Sequence, residues 1–300
     1  MTDHDNIIDI PSLQWYPGHM RKAERLVKDN LKLVDVVIEL LDARIPLSSA
    51  NPVLREIVGD KPRVIVLNKA DLAHEAATRA WVKYFAEQEL VAVPVDAVKG
   101  RGVKELVQAI TKCAKPKTDK LVQHGAKARA ARCMILGIPN VGKSSLINRL
   151  SGGAKTKVEN RPGVTRAKQW IRLGAQLELL DMPGILWPKF EDQQAALHLA
   201  FTGAINDNVY DVASVVLLLL DTLRTAYPSA LIERYRLEGG LPSGVELLEE
   251  IGRKRGCLRA GGRFDDEKAQ QIILTDFRSG RLGRVTLDAL PFTDSAEDAG

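Results

Sequence analysis

No apolar stretch in this 300-residue sequence approaches the roughly 20 residues that a membrane-spanning helix needs. The longest candidate, residues 215–220, ends beside Asp221. The acidic first nine residues lack the basic-then-apolar pattern of a secretion signal. We therefore expect a cytoplasmic protein that has no membrane partner and is a monomer when free.

The sequence is also poor in cysteine. Cys113, Cys133 and Cys257 are widely separated and odd in number, which is typical of neither a disulfide framework nor a metal site. This usage indicates a reducing cytosol. No internal repeat or low-complexity tract is present. A hydrophobic content of 45% supports a globular core, and the length allows one average domain and a smaller one.

Positive charge is unevenly distributed. The net charge is +5, and residues 127–172 hold eleven lysines and arginines against one acid, Glu159. A cluster of cations favours nucleic-acid binding, because it releases counterions from a phosphate backbone. The alternative is that these side chains serve nucleotide phosphates or are solvated. Charge alone does not separate the two.

Up to residue 190, predicted strands and helices alternate along the chain. Helices are predicted at residues 21–32, 75–88, 103–113 and 143–150, and strands at 34–41, 63–67, 91–95 and 133–137. Residues 114–129 are interpreted as a linker, and residues 168–173 and 177–180 as a hairpin. This alternation is typical of a doubly wound, mostly parallel α/β sheet.

Beyond residue 190 the pattern becomes helical. Helices are predicted at residues 195–204, 209–224, 229–234 and 245–252, with a strand only at 272–275. We therefore expect two domains, residues 1–190 with an N-terminal extension and the mainly helical residues 191–300.

A phosphate-binding loop is the most specific motif. Residues 137–144 read Gly-Ile-Pro-Asn-Val-Gly-Lys-Ser between a predicted strand and a predicted helix, the full G-x-x-x-x-G-K-[ST] pattern. Its amides and helix N-terminus favour a phosphate group, Lys143 neutralises β- and γ-oxygens, and Ser144 ligates Mg²⁺. The predicted contacts are Pro139, Asn140, Val141, Gly142, Lys143, Ser144 and Ser145.

A second motif, Asn68-Lys69-Ala70-Asp71, follows a buried strand and identifies the base. A carboxylate at Asp71 accepts hydrogen bonds from the N1 and N2 groups of guanine, and adenine offers no such pair of donors. Asp96 and Ala97 are predicted to frame the base more weakly, since Asp96 replaces the usual serine. The nucleotide is therefore predicted to be GTP.

The two motifs come in an unusual order. In ordinary small GTPases the phosphate loop comes first and the base-reading motif last, whereas here the base-reading motif leads. The sequence therefore predicts a circularly permuted G domain in a doubly wound α/β fold.

The predicted site is completed by three residues that come later in the chain than the phosphate loop. Thr165, in a Gly/Pro-rich segment, would close over the γ-phosphate as a magnesium ligand, the usual switch device. The alternative is a loop threonine with no role. Asp181 would hold Mg²⁺ through water, and the amide of Gly184 would contact the γ-phosphate.

The water-orienting glutamine of small GTPases is replaced by Ile185, so slow intrinsic hydrolysis is expected. His19, placed outside the first predicted helix, is a candidate catalytic group, and the alternative is a structural or RNA-contacting residue. Asn140 is a candidate ligand for K⁺, and the alternative is a loop-stabilising amide.

Several motifs together resemble the YlqF family of circularly permuted GTPases. They are the permuted order, Trp15-Tyr16-Pro17-Gly18-His19-Met20, Asp42-Ala43-Arg44 and Gly184-Ile185-Leu186-Trp187-Pro188. The resemblance implies a cytosolic GTPase that binds the immature large ribosomal subunit and helps its late assembly. It also implies a hydrophobic Ile185, a catalytic role for His19 and stimulation by K⁺ at Asn140.

The resemblance extends to the tail, where residues 254–258 are similar to the family's RNA-contacting domain. Four cations that lie close in sequence there are the predicted RNA contacts: Lys254, Arg255, Arg259 and Arg263. Partners implied are rRNA and ribosomal proteins. An RNA-binding scaffold with incidental hydrolysis is the alternative. A membrane-trafficking GTPase is disfavoured because no lipid-attachment cysteine lies near the C-terminus. Since the second switch leads directly into the tail, we expect a γ-phosphate-dependent shift to reach it.

Overall fold

The computed structural model describes residues 17–152, 170–173, 176–180 and 192–291, with side chains from residue 24 onward. Its strands are β1 (Val36–Asp42), β2 (Arg63–Asn68), β3 (Val91–Val95), β4 (Ala131–Gly137), β5 (Trp170–Leu173) and β6 (Leu177–Leu180). They form one sheet in the order β3-β2-β1-β4-β6-β5. Only the pair β5–β6 is antiparallel among these strands. The predicted mostly parallel sheet and the predicted hairpin are both confirmed.

Helices cover the sheet and make up the tail. They are α1 (Pro17–Leu31), α2 (Pro52–Val58), α3 (Glu75–Glu87), α4 (Val103–Gln123), α5 (Lys143–Leu150), α6 (Gln193–Thr202), α7 (Val212–Ala226), α8 (Pro228–Tyr235), α9 (Gly244–Lys254) and α10 (Asp266–Arg278). A short 3-10 helix spans Asp207–Val209.

The predicted linker at residues 114–129 is wrong, because α4 continues to Gln123. Pro116 removes one backbone donor inside the helix. The turn is held nevertheless by Lys117, whose Nζ donates to the Val34 carbonyl and lies 3.1 Å from a carboxylate oxygen of the buried Asp35. A tertiary contact therefore keeps residues 114–123 helical, although proline and mixed charge in this stretch predict a linker.

Two other predictions are corrected. The strand at residues 272–275 lies within α10, where Ala269, Ile273 and Phe277 form a buried stripe at helical spacing. The short apolar run concealed this longer period. His19 lies inside α1 rather than before it, since the helix begins at Pro17, where the fixed φ of proline suits a first turn.

The sheet and the tail share one apolar core. β1 is buried along its whole length, and the largest cluster of buried side chains joins Ile38 and Ile135 of the sheet to Leu199 of α6 and Leu219 of α7. Residues of the tail therefore pack against the sheet and share its core.

Within the described ranges, no single helix is both long and apolar enough to cross a membrane. The bent pair α7–α8 meets the length and composition test with an angle of 110° between its helices.

Candidate guanine-nucleotide site

The carboxyl ends of four parallel strands bring the two predicted motifs together. In the register of the sheet, Leu40 pairs with Gly137, Asp42 with Asn68, and Asn68 with Val95. Loops that leave the same edge of a parallel sheet meet in the crevice where ligands of doubly wound folds bind. The base-reading loop, which runs from Asn68 to the start of α3, therefore lies beside the loop at Asp96 and the phosphate loop, although the chain order is permuted.

Two glycines of the phosphate loop are required by close backbone approach. A Cβ on Gly137 would lie 2.6 Å from the Leu40 carbonyl oxygen, and a Cβ on Gly142 would lie 2.3 Å from Nδ2 of Asn68. Gly142 also has a φ of +100° and precedes the first residue of α5, Lys143. The loop thus delivers a helix N-terminus to the crevice, as phosphate binding needs.

Ser144 and Ser145 are exposed in the first turn of α5. The hydroxyl of Ser144 fits Mg²⁺, which takes oxygen ligands and keeps several waters and substrate phosphates around few protein groups. With GTP bound, Mg²⁺ would neutralise the β- and γ-phosphate oxygens. No cluster of three His, Cys, Asp or Glu suited to a metal ion occurs in the described part of the chain.

Asn68 ties three loops together. Its Nδ2 donates to the Val141 carbonyl at 2.8 Å, and its Oδ1 accepts from the amide of Ala97 at 3.3 Å. The side chain is buried. Asn68 therefore fixes the base-reading loop relative to the phosphate loop instead of facing solvent.

Lys69 makes a second link between the same loops. Its Nζ donates to the Asn140 carbonyl and to Asp42, both at 2.9 Å. Lys69 and Asn140 have φ values of +58° and +57°, a conformation that non-glycine residues rarely adopt. Such backbone strain concentrates at functional sites, where the surrounding contacts hold it.

Asp71 is half-buried beside Lys69. Within the described ranges its carboxylate makes no hydrogen bond, which suits a group that reads a base edge. Asp96, by contrast, is buried, and its Oδ1 accepts from the amides of Val98 and Lys99 at 3.0 and 2.9 Å. Asp96 thus stabilises its own loop by hydrogen bonds. Ala97 contacts Asn68 through its backbone amide.

Asn140 connects the phosphate loop to the tail. Its Nδ2 donates to the carbonyl of Gly203, the residue that ends α6, at 2.7 Å. Sequence reasoning gave Asn140 a role toward a cation, and no local pattern signalled this contact across 63 residues.

Sequence reasoning also gave no role to Asp42 and Arg44. Asp42 is buried and accepts from Arg44 Nη2 at 2.7 Å as well as from Lys69. Burial alone would raise the pKa of Asp42, but the two cations outweigh it and hold the pKa well below its ordinary value. A signal was present, because Asp42 and Arg44 are charged residues at the carboxyl end of a mostly apolar strand, which is the edge where ligands bind.

Several predicted residues lie outside the described residues. They are Thr165, Asp181, Gly184 and Ile185. For His19 the structure gives the helix position only.

Three of the six described cations of residues 127–172 make contacts within the fold. Arg129 pairs with Asp35, Arg132 pairs with Glu178 and lies over the Trp170 ring, and Arg149 donates to the Ala97 and Val98 carbonyls. These contacts give the three arginines a role within the fold, which neither the nucleic-acid interpretation nor its alternative predicted.

A basic cavity is lined by residues of the tail, and one of its lining turns, Gly280–Gly283, packs on Leu72 just after the base-reading motif. Its volume is about 690 Å³. The buried Asp276 pairs with three of its arginines and holds them around the opening. Its cationic lining residues are Arg234, Arg236, Lys254, Arg255 and Arg281.

Comparisons with known proteins agree with this site. A family model described as 50S ribosome-binding GTPase matches residues 132–240. Ribosome biogenesis GTPase A of Bacillus cereus is 48% identical over 95% of this chain and 97% of its own length. Mitochondrial ribosome-associated GTPase 1 of Mus musculus is 34% identical over 92% of this chain and 90% of its own length.

Among solved structures, YlqF from Thermotoga maritima bound to GNP superposes with a TM-score of 0.59 at 28% identity. The superposed region covers 89% of this chain and 97% of the YlqF chain. The extent of these matches and the geometry of the loops lead to one conclusion. The chain belongs to the YlqF family of circularly permuted GTPases, together with the ribosome biogenesis GTPase A proteins, and is a GTP-hydrolysing enzyme.

Proposed function

We propose that this GTPase acts in the cytoplasm, binds the immature large ribosomal subunit and promotes its late assembly. The names of the relatives support the process. The observation that carries the proposal for this chain is the basic cavity, since one of its lining turns, Gly280–Gly283, also packs on the base-reading loop. A cation-lined surface joined to a nucleotide site suits a GTPase that responds to RNA.

In this proposal, residues 1–190 carry the nucleotide and residues 191–300 contact the particle, both its rRNA and its ribosomal proteins. The free protein is a monomer. GTP is hydrolysed to GDP and phosphate when the particle stimulates turnover, with Mg²⁺ held by Ser144, Thr165 and Asp181. His19 supplies the catalytic group and Asn140 contributes to a K⁺ site.

Purified protein should cosediment with large-subunit precursors when a non-hydrolysable GTP analogue is present and should release them with GDP. The matched control is Lys143→Ala, which removes the cation that neutralises phosphate oxygens. Cosedimentation that is equal with the analogue, with GDP and in the variant would contradict the proposal.

RNA contact is best placed at the basic cavity. Lys254 and Arg255 line it, but Arg259 is surrounded by the carboxylates of Asp265, Asp266 and Glu267. A phosphate at Arg259 would have to displace these acids. Arg236 and Lys254 do not pair with Asp276. Lys254 lies 3.8 Å from a carboxylate oxygen of the exposed Glu238, and an exposed pair of this kind contributes little energy. These two cations are therefore the strongest candidates.

Replacing both Arg236 and Lys254 with alanine should weaken particle binding and make it less sensitive to salt. Each lost phosphate contact removes roughly 0.7–0.9 from the slope of log K against log salt concentration. The slope is measured by titration at several KCl concentrations. Arg79→Ala on α3, which removes an exposed cation outside the cavity, is the control. An unchanged slope in the double variant would place RNA binding elsewhere.

Turnover of the free protein should be slow and should rise with large-subunit particles and with K⁺ in place of Na⁺. The physical reason is that Ile185 cannot orient water, so charge and positioning come from other groups. Phosphate release is measured with each salt, with and without particles. Asn140→Ala should remove the preference for K⁺ and keep stimulation by particles.

The same measurement separates an enzyme from an RNA-binding scaffold with incidental hydrolysis. A scaffold would bind particles through its basic cavity without faster turnover. If the free protein in Na⁺ hydrolysed GTP as fast as the particle-bound protein in K⁺, both stimulation and the K⁺ site would be wrong.

A further inference from the structure

We propose that Asp42 and Arg44 are positioning residues for Lys69. In this proposal the tail contacts Arg44, and Arg44 and Asp42 in turn hold the base-reading loop in place through Lys69. The rate at which GDP leaves is then set in part by tail contacts. This inference rests on the GTPase activity of the chain and does not depend on the ribosomal partner.

The first step is the charge arrangement at the end of β1. Asp42 is almost fully buried between two cations, with the side chain of Arg44 only 2% exposed and that of Lys69 23% exposed. One carboxylate oxygen, Oδ2, accepts from both. Because a buried ammonium group needs a partner, Asp42 fixes where Nζ of Lys69 lies.

The position of Lys69 matters to the nucleotide because its backbone carries the base-reading loop at a positive φ, and its Nζ reaches the phosphate loop at Asn140. A lysine released from Asp42 would lose one of its two fixed acceptors. The loop that presents Asp71 would then relax toward common backbone conformations.

Arg44 connects this arrangement to the tail. Its guanidinium lies 5.4 Å from the centre of the Phe277 ring, and its Nη1 donates to the Phe277 carbonyl in α10. Its own carbonyl accepts from the amide of Leu287 at 2.8 Å. The side chain of Arg44 thus joins α10 to the acid that holds Lys69, and its backbone carbonyl holds the C-terminal segment.

A second set of contacts reaches the same loop directly. The amide of Val285 donates to the Leu72 carbonyl at 3.0 Å, and the amide of His74 donates to Oγ1 of Thr286 at 3.1 Å. A Cβ on Gly280 would lie 2.5 Å from Cδ2 of Leu72, so the turn after α10 packs closely on the loop. The residues that follow Asp71, Leu72 and His74, are therefore in direct contact with the tail.

The dissociation rate of a fluorescent GDP analogue from the free protein tests the role of Asp42. Asp42→Asn and Lys69→Met should each raise it by about 10-fold or more, the usual size of a lost charge-assisted hydrogen bond. If Asp42 acts through Lys69, the double variant should be no faster than about twice the faster single variant. Rate increases that multiply in the double variant would overturn the positioning role.

Asp35→Asn is the matched control, because Asp35 is equally buried and pairs with Arg129 and Lys117 at the opposite end of β1. It should lower the melting temperature without changing GDP release. If it accelerates release as much as Asp42→Asn does, the effect is one of general stability, and the proposal is wrong.

Two milder variants test the tail and avoid the risk that a buried charge change prevents folding. Arg44→Lys keeps a cation beside Asp42 but loses the planar fork over Phe277, and Thr286→Val keeps the shape but loses the acceptor for His74. Each should raise GDP release by roughly 2–10-fold. If both variants release GDP at the native rate, the tail does not control GDP release and that part of the proposal is wrong. This outcome is independent of any effect of particles on turnover.

Discussion

Asp71→Asn is expected to weaken binding of GDP and GTP by about 10²–10⁴-fold, because two hydrogen bonds from guanine to a charged acceptor are lost. The asparagine amide also brings a donor toward the N1 and N2 donors of guanine. Xanthine has a carbonyl in place of the N2 amino group and accepts from that amide. The variant should therefore prefer xanthosine nucleotides to guanosine nucleotides.

Fluorescence titration with guanosine, xanthosine and adenosine diphosphates measures this change of preference. Asp60→Asn is a suitable control, since Asp60 is exposed just before β2, at the edge of the sheet opposite the nucleotide loops. The base assignment would fail if the native protein bound ADP and GDP equally well, or if the control changed specificity as Asp71→Asn does.

The sheet could be predicted because its strands carry a strong local signal. β1, β2 and β4 are nearly continuous apolar runs, as expected of parallel strands buried on both faces, and β3 and α5 were predicted with the bounds that the structure gives them. Strands that end at one edge also bring their loops together, so the convergence of the two motifs followed from topology. The family comparisons agree with this fold.

Features that depend on contacts between separate elements could not be predicted. The C-terminal part of α4 is held by Lys117 against Asp35, and Asn140 meets Gly203, yet neither contact leaves a local pattern. The pairing of Arg259 with carboxylates could not be predicted either, because these side chains come together only in the folded loop. Contacts formed only in the folded chain, rather than propensity, decide these positions.

His19→Ala is expected to lower particle-stimulated turnover by about 10²–10⁴-fold, the usual contribution of a positioned acid–base group or its equivalent. Binding of GTP and of particles should be unchanged. His19 lies in the first turn of α1, while Val27 packs into the core about 12 Å further along the helix. A particle that reorients this first turn would bring the imidazole to the γ-phosphate.

The competing interpretation is that His19 only contacts RNA or supports the fold. In that case His19→Ala would weaken particle binding, and enzyme saturated with particles would turn over normally. Measuring the dissociation constant for particles beside the rate at saturating particle concentration separates the two, because a group that acts in the transition state alone lowers kcat and kcat/KM together. His124→Ala, which removes an exposed histidine at the end of α4, controls for loss of an imidazole as such. Normal saturated turnover of His19→Ala would exclude the catalytic role and leave the source of charge stabilisation to Asn140 and its cation.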